Sequence, residues 1–226
     1  MAARLGPATL TRSRVFTPFA LTSTLPAFAK SQLAKLGYKY TILQANADKT
    51  DLPNLSALDS ADLLILYFRR TNLPETQLAH FKQYFASGKP AIALRTSCHG
   101  FQNWPDFDRQ ILACQYTGHY GQATTPTQVL PTPTSKSDPL LRNVTPAEFP
   151  SQSWLYKLSP LSPTATPLLL GQIKDTPPEP IAHLTTHLAA PIFFTSLGHP
   201  TDFQSPQFPR LLLNAIEYTL DHPIPK

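Results

Sequence analysis

Two short runs hold the residue types with the most chemistry in them. The first, Arg95-Thr96-Ser97-Cys98-His99-Gly100-Phe101, sets a guanidinium, a thiol, an imidazole and two hydroxyls side by side. The second, Gly198-His199-Pro200-Thr201-Asp202-Phe203, adds another imidazole and a carboxylate. Cys98, His199 and Asp202 are the types a nucleophilic triad needs: a thiolate to attack, an imidazole to take the proton and a carboxylate to orient the imidazole. Cys98 two residues before Gly100 suits a tight strand-to-helix turn that lifts one side chain into solvent, where a neighbouring imidazole would lower the thiol pKa. A free cysteine is as often a small buried residue, and both readings stay open here.

Around these stand candidates for ligand binding. Arg95, together with Arg69-Arg70, can clasp a carboxylate or a set of sugar hydroxyls. Trp104 and Asp108 fit sugar recognition by stacking and hydroxyl bonding, and His99 and His119 offer further polar contacts. His99, His119, His183 and His199 share no ligand-type spacing, and Cys98 and Cys114 form no CxxC pair. Convergence on a metal is therefore the weaker reading, and no metal or other cofactor is expected.

The elements that must carry these residues follow from the apolar pattern. Gly88-Lys89-Pro90 launches the run Ala91–Leu94, which ends at the first cluster; Ala190–Leu197 is a second apolar strand and ends at the other. Parallel strands would bring both ends to one edge of a sheet, where open α/β folds bind ligands. Upstream, Tyr38–Leu43 and Ala61–Phe68 read as strands, with helices over Leu25–Gly37 and from Leu73 to Gly88. Asp51 to Asp59 starts like a helix. A short helix is expected between Asn103 and Cys114, a glycine-flanked loop over Tyr116–Gly121, and a loop or strand over Thr127–Leu130. Trp154–Leu158, Pro167–Gly171 and Pro180–Leu184 read as further strands, and Phe208–Leu220 as the last helix. Strand, helix, strand, helix, strand over 38–94 implies a doubly wound α/β sheet in one domain.

Composition sets outer limits. The 25 prolines outnumber the 8 glycines and crowd into 126–180, which favours extended connections there over long helices. Net charge is +5 but scattered, so neither nucleic acid nor membrane is an expected partner. A small, sugar-like molecule is, and self-association stays open. Two cysteines make no disulfide framework, in keeping with a cytoplasmic protein. Residues 1–24 are poorly defined: Arg4, Arg12 and Arg14 before Val15–Ala29 make a poor export signal, interrupted by Pro18 and Pro26.

At these motifs the chain resembles the ThuA-like (trehalose-utilisation) family of the class I glutamine amidotransferase-like superfamily. The likeness rests on Gly88-Lys89-Pro90 leading to Arg95–Phe101, on Trp104 with Phe107-Asp108, on Tyr116–Gly121, Leu155-Tyr156-Lys157 and Glu179-Pro180-Ile181-Ala182. Above all it rests on Phe194–Phe203, and Leu211–Ile216 closes it. It spans about residues 60–222, so 25–226 is taken as the ThuA-like domain. It implies a three-layer α/β/α sandwich, flavodoxin-like, with a mostly parallel sheet. It implies a role in sugar or glycoside use, as a hydrolase or sugar-modifying enzyme or as a non-catalytic binding or scaffold domain. A cysteine-dependent amidotransferase is a further alternative, since the superfamily pairs an elbow cysteine with a late His-Pro-x-Glu. Here His199-Pro200 matches while Asp202 stands one place beyond the glutamate, and ThuA-like relatives carry serine where Cys98 stands. Three departures mark the chain: no convincing first strand in 1–24, Ala113-Cys114 in place of a glycine pair, and His183 in place of a tryptophan.

Overall fold

The computed structural model describes residues 13–18, 24–122 and 125–224. Strand β1 (Ser13–Pro18) leads to α1 (Thr24–Phe28), which runs on as a wider turn over Ala29–Leu33, and to β2 (Lys39–Ile42). Then come β3 (Ala61–Tyr67), α2 (Glu75–Ala86), β4 (Ala91–Leu94), α3 (Phe107–Gln110), β5 (His119–Tyr120) and β6 (Gln128–Pro131). The remaining elements are β7 (Leu155–Tyr156), β8 (Thr166–Gln172), β9 (Glu179–His187), β10 (Ala190–Thr195) and α4 (Gln207–Thr219).

Eight strands form one mixed sheet in the order β2-β1-β3-β4-β10-β9-β8-β6. The pairings from β2 through β10 are parallel, and β9, β8 and β6 extend the sheet in antiparallel fashion. β5 and β7 make a separate two-stranded ribbon. The alternation of strand side chains explains why the central strands are apolar throughout. Leu63, Ile65, Ile92, Leu94 and Phe193 pack on one face with α1 and α4. Leu64, Leu66, Ala93, Ile192 and Phe194 pack on the other with α2, Phe101 and Phe107. α2 ends as its sequence dictates, with Ser87 at its cap and Gly88 at φ +65 next.

Several expectations change. Ser13–Pro18 is not an undefined leader: it is a strand between β2 and β3, so the sheet reaches into 1–24 and the division at residue 25 falls inside it. The export-signal alternative covered Val15–Ala29; Val15–Pro18 pair within the sheet, Ala27 lies in α1 and Ala29 opens the turn after it, while 1–12 and 19–23 lie outside the described residues. No helix among the described residues is long and apolar enough to cross a membrane. Asp51 to Asp59 yields only a single tight turn, Leu55–Leu58. The proline-rich 126–180 holds strands and short turns and no α-helix, because fixed φ and missing donors favour extended chain.

The departures from family pattern also acquire physical meaning. Ala113 sits at φ +55, a left-handed conformation that glycine would adopt without strain. His183 lies wholly inside the core on β9, its Nε2 2.6 Å from the Leu112 carbonyl.

Candidate functional site

β4 and β10 are paired in parallel, with Leu94 opposite Thr195, so both reactive runs do emerge at one edge. The chain breaks at Arg95, which takes φ +48, and winds through a tight turn over Arg95–His99. That turn is anchored to the end of β3. Thr96 donates to the Phe68 carbonyl (2.6 Å), Ser97 donates to Leu66 and accepts from the Phe68 N–H. The Arg70 N–H donates to His99 and the Thr71 N–H to Gly100. Arg70 itself holds φ +51. Left-handed backbone in two bulky residues at adjoining strand ends is strain of the kind that collects at functional sites.

These constraints open a cleft of about 250 Å³. Its floor comes from the β3 and β4 ends: Tyr67, Arg69, Arg70, Arg95, Thr96 and His99. Its other wall comes from the β5–β7 ribbon and the loop before it: Tyr116, His119, Trp154 and Tyr156. His99 stacks on Tyr116 with ring centres 4.3 Å apart, and His119 lies 3.9 Å from the Trp154 ring centre. A neighbouring hollow of about 350 Å³ shares Arg70, His99 and Tyr116 and continues to Trp104 and Asp108. A larger hollow, about 670 Å³, opens near the start of β10 beside Pro191, at the opposite edge. There Arg142 donates to the Ile224 carbonyl and His222 bonds Glu217.

Electrostatically the cleft is positive. Burial, reinforced by Arg70 and Arg69, pulls His99 down to about 4, so its ring is neutral at pH 7. Burial likewise lowers His119, and burial with Arg95 lowers His199. Gly198 takes φ +113, a conformation side chains rarely adopt, and a Cβ there would press on the Phe208 ring at 3.3 Å.

The expected triad residues have other partners. Cys98 is 3% exposed and belongs to the apolar cluster with Phe101 and Phe107. Its thiol lies 3.4 Å from both the Arg95 carbonyl and His99 Nδ1. Burial drives the thiol well above its usual range, with smaller pushes from Cys114 and Asp108, so the expected lowering of its pKa is reversed. The elbow position belongs to Arg95, three residues earlier. Native protein is accordingly expected to resist iodoacetamide at Cys98, reacting at least ~100-fold more slowly than the urea-unfolded chain. Rapid alkylation of the folded protein at pH 8, mapped to Cys98 by mass spectrometry, would restore the nucleophile.

The His199 ring bonds Thr201 Oγ1 (2.8 Å). Among the described residues no hydrogen bond joins it to Cys98 or to the Asp202 carboxylate. That carboxylate, almost fully buried, accepts from Ser151, Ser153 and the N–H groups of Gly198 and His199. Asp108 is also spent on backbone, accepting from the N–H groups of Arg109 and Tyr116 and so fixing the Tyr116 loop. Trp104 packs among Phe85, Phe101 and Phe107 and donates to Gln110. No three His, Cys, Asp or Glu side chains among the described residues gather as a metal site.

A family model described as "ThuA: Trehalose utilisation" matches residues 22–219. The chain belongs to the ThuA family. Its fold is shared with a protein described as ThuA-like from Parabacteroides merdae, at TM-score 0.72 and 16% identity over 96% of this chain and 92% of that one. A second such protein, from Bacteroides uniformis, gives TM-score 0.67 and 16% identity over 96% and 95%. A cytoplasmic protein of Salmonella typhimurium gives 0.64 and 11% over 92% and 99%. No curated protein matches the chain in sequence.

For this ThuA-family chain, the cleft brings together three residues singled out as ligand-binding candidates, Arg95, His99 and His119, with Arg69 and Arg70. Sequence reasoning passed over Tyr67, Trp154 and Tyr156 as cleft residues. A signal existed for the last two: positions two apart on a strand face the same way, and both are aromatic.

Proposed function

We propose that this ThuA-family domain binds a sugar or glycoside in the cleft at the C-terminal edge of β3 and β4, on a flavodoxin-like three-layer scaffold. The observation that carries the reading is the pairing of flat aromatic faces, Tyr116 and Trp154, with ring nitrogens and guanidinium donors around one small cavity. Aromatic faces take the apolar side of a sugar ring while a few placed polar groups fix its hydroxyls. His99, neutral and tied at Nδ1 to Cys98, has Nε2 left for a ligand hydroxyl. The family's name, trehalose utilisation, points the same way.

A second reading, binding without turnover, is favoured by what the cleft lacks. Most glycoside hydrolysis needs two carboxyl groups flanking the bond, and no Asp or Glu lines the 250 Å³ cleft. Calorimetric titration with mono- and disaccharides, trehalose included, tests the shared core of both. Trp154→Ala, at an exposed position, should weaken binding roughly fivefold to tenfold. Absence of saturable binding by any saccharide would end the proposal, and release of product from a bound glycoside would decide between the two readings.

A further inference from the structure

Arg69, Arg70 and Arg95 line one cleft, and no Asp or Glu is among the residues lining it. All 14 Asp and Glu residues are among the described ones. Among the described residues, acidic side chains pair with His80, Lys82, Arg109 and His222, and no ion pair reaches these three arginines. Arg95 Nε is buried with no hydrogen-bond partner, and a buried donor in a native protein is nearly always satisfied. Surface arginines with nothing to hold would diverge to relieve repulsion. Here two of the three sit in left-handed backbone that directs the chain at this edge. The uncompensated field is felt locally, since Arg70 and Arg69 act on His99, and Arg95 on His199. Asp202, on the next loop, has given its oxygens to Ser151, Ser153 and two backbone N–H groups.

We infer that the ligand of this cleft is an acidic sugar, whose carboxylate or phosphate is held by Arg69, Arg70 and Arg95 while its ring lies against Tyr116 and Trp154. A guanidinium presents a planar fork of donors that suits either oxyanion, and several together discriminate strongly against a neutral analogue. The ring part rests on the sugar-binding reading above; the anion part stands on the arginines.

Calorimetry on the full chain tests it, with glucuronate, glucose 6-phosphate, glucose and inorganic phosphate as probes at low and high salt. Both acidic sugars, or one of them, should bind about tenfold or more tighter than glucose, and salt should weaken that binding. Arg69→Gln removes an exposed charge and should weaken the acidic sugars about tenfold, with a melting curve to show that the variant folds. Arg95→Gln should do the same, with a melting curve to show that it folds. Lys136→Gln, which removes an exposed charge outside the cleft, should change nothing. Glucose binding as tightly as the acidic sugars, or Arg69→Gln binding them like the wild type, would overturn the inference and leave the sugar reading intact. Inorganic phosphate binding as tightly as glucose 6-phosphate would keep the anion site and remove the sugar. Binding of none of the four would remove both.

Discussion

Asp202→Ala should destabilise the protein by about 4 kcal/mol, lowering the melting temperature by roughly 8–16 °C for a chain of this size. The carboxylate is 2% exposed. It accepts the Ser151 hydroxyl at both oxygens (2.8 Å each), the Ser153 hydroxyl (3.1 Å) and the N–H groups of Gly198 (2.8 Å) and His199 (2.9 Å). Removing it strands those donors in a place water reaches poorly, and each buried unsatisfied donor costs about 1–3 kcal/mol. Refilling by water and local collapse absorb part of the sum, which is why the total stays near 4. Asn keeps one acceptor but aims an amide at the remaining donors, so Asp202→Asn should cost about half as much. Urea denaturation of the three proteins checks the order, and an Asp202→Ala protein as stable as the wild type would show that the carboxylate does not hold this junction together. The role is structural: it clamps the segment just before Trp154 to the loop after β10. Loss of ligand binding in Asp202→Ala should therefore follow loss of stability, whereas a catalytic carboxylate would cost turnover in a fully stable protein.

Acid should weaken the fold through His183. The Nε2 beside the Leu112 carbonyl can only donate to it, so Nδ1 is the bare nitrogen, and Nδ1 is buried without a partner. Protonation would place an unsatisfied N–H⁺ in the core, on a ring packed beside Phe194. Burial accordingly lowers the group to about 4, with the Leu112 bond opposing in part. Its folded pKa lies below the ordinary histidine value of about 6.5, so between those limits the unfolded chain holds the extra proton. Stability from this residue is complete above about pH 6.5 and is lost as pH falls toward 4. By pH 4.5 the loss should be about 2–3 kcal/mol. His183→Gln can still donate to Leu112 and does not titrate, so its urea midpoint should fall less than the wild type's over the same range. Parallel pH profiles for the two proteins would assign the acid sensitivity elsewhere.

How far the sequence could be read depended on what kind of constraint each residue answers to. β4 and β10 were legible because strands covered on both faces leave continuous apolar runs. Their shared edge followed from parallel pairing. β1 was not legible: Ser13, Arg14, Thr17 and Pro18 dilute its apolar content below that of the strands beside it. Cys98 shows where motif reading stops. A tight turn rotates successive side chains steeply, so a three-residue difference in where the elbow falls moved the thiol from solvent to core and put Arg95 at the bend. Asp202 fails for another reason. Its fate was decided by Ser151 and Ser153, some fifty positions earlier, and no local spacing reports that. Arg95, His99 and His119 did converge, since residues that end strands or flank ribbons at one edge have few other places to go.

The residues of the cleft come from two different parts of the chain. Every guanidinium in it is fixed by the large sheet, through the ends of β3 and β4, while Tyr116, His119, Trp154 and Tyr156 belong to the small β5–β7 ribbon and its approach. Charge and shape are thus encoded on different parts of the molecule. On the sugar-binding reading proposed above, exposed Trp154 and partly exposed His119 can be exchanged, and with them the ring accommodated, without disturbing the strands on which folding depends. Tyr156, by contrast, is packed in the core. Loss of an arginine, under the acidic-sugar inference, would change the charge class of the ligand. On the proposed reading, natural selection has two different handles on the ligand, one through charge and one through contour.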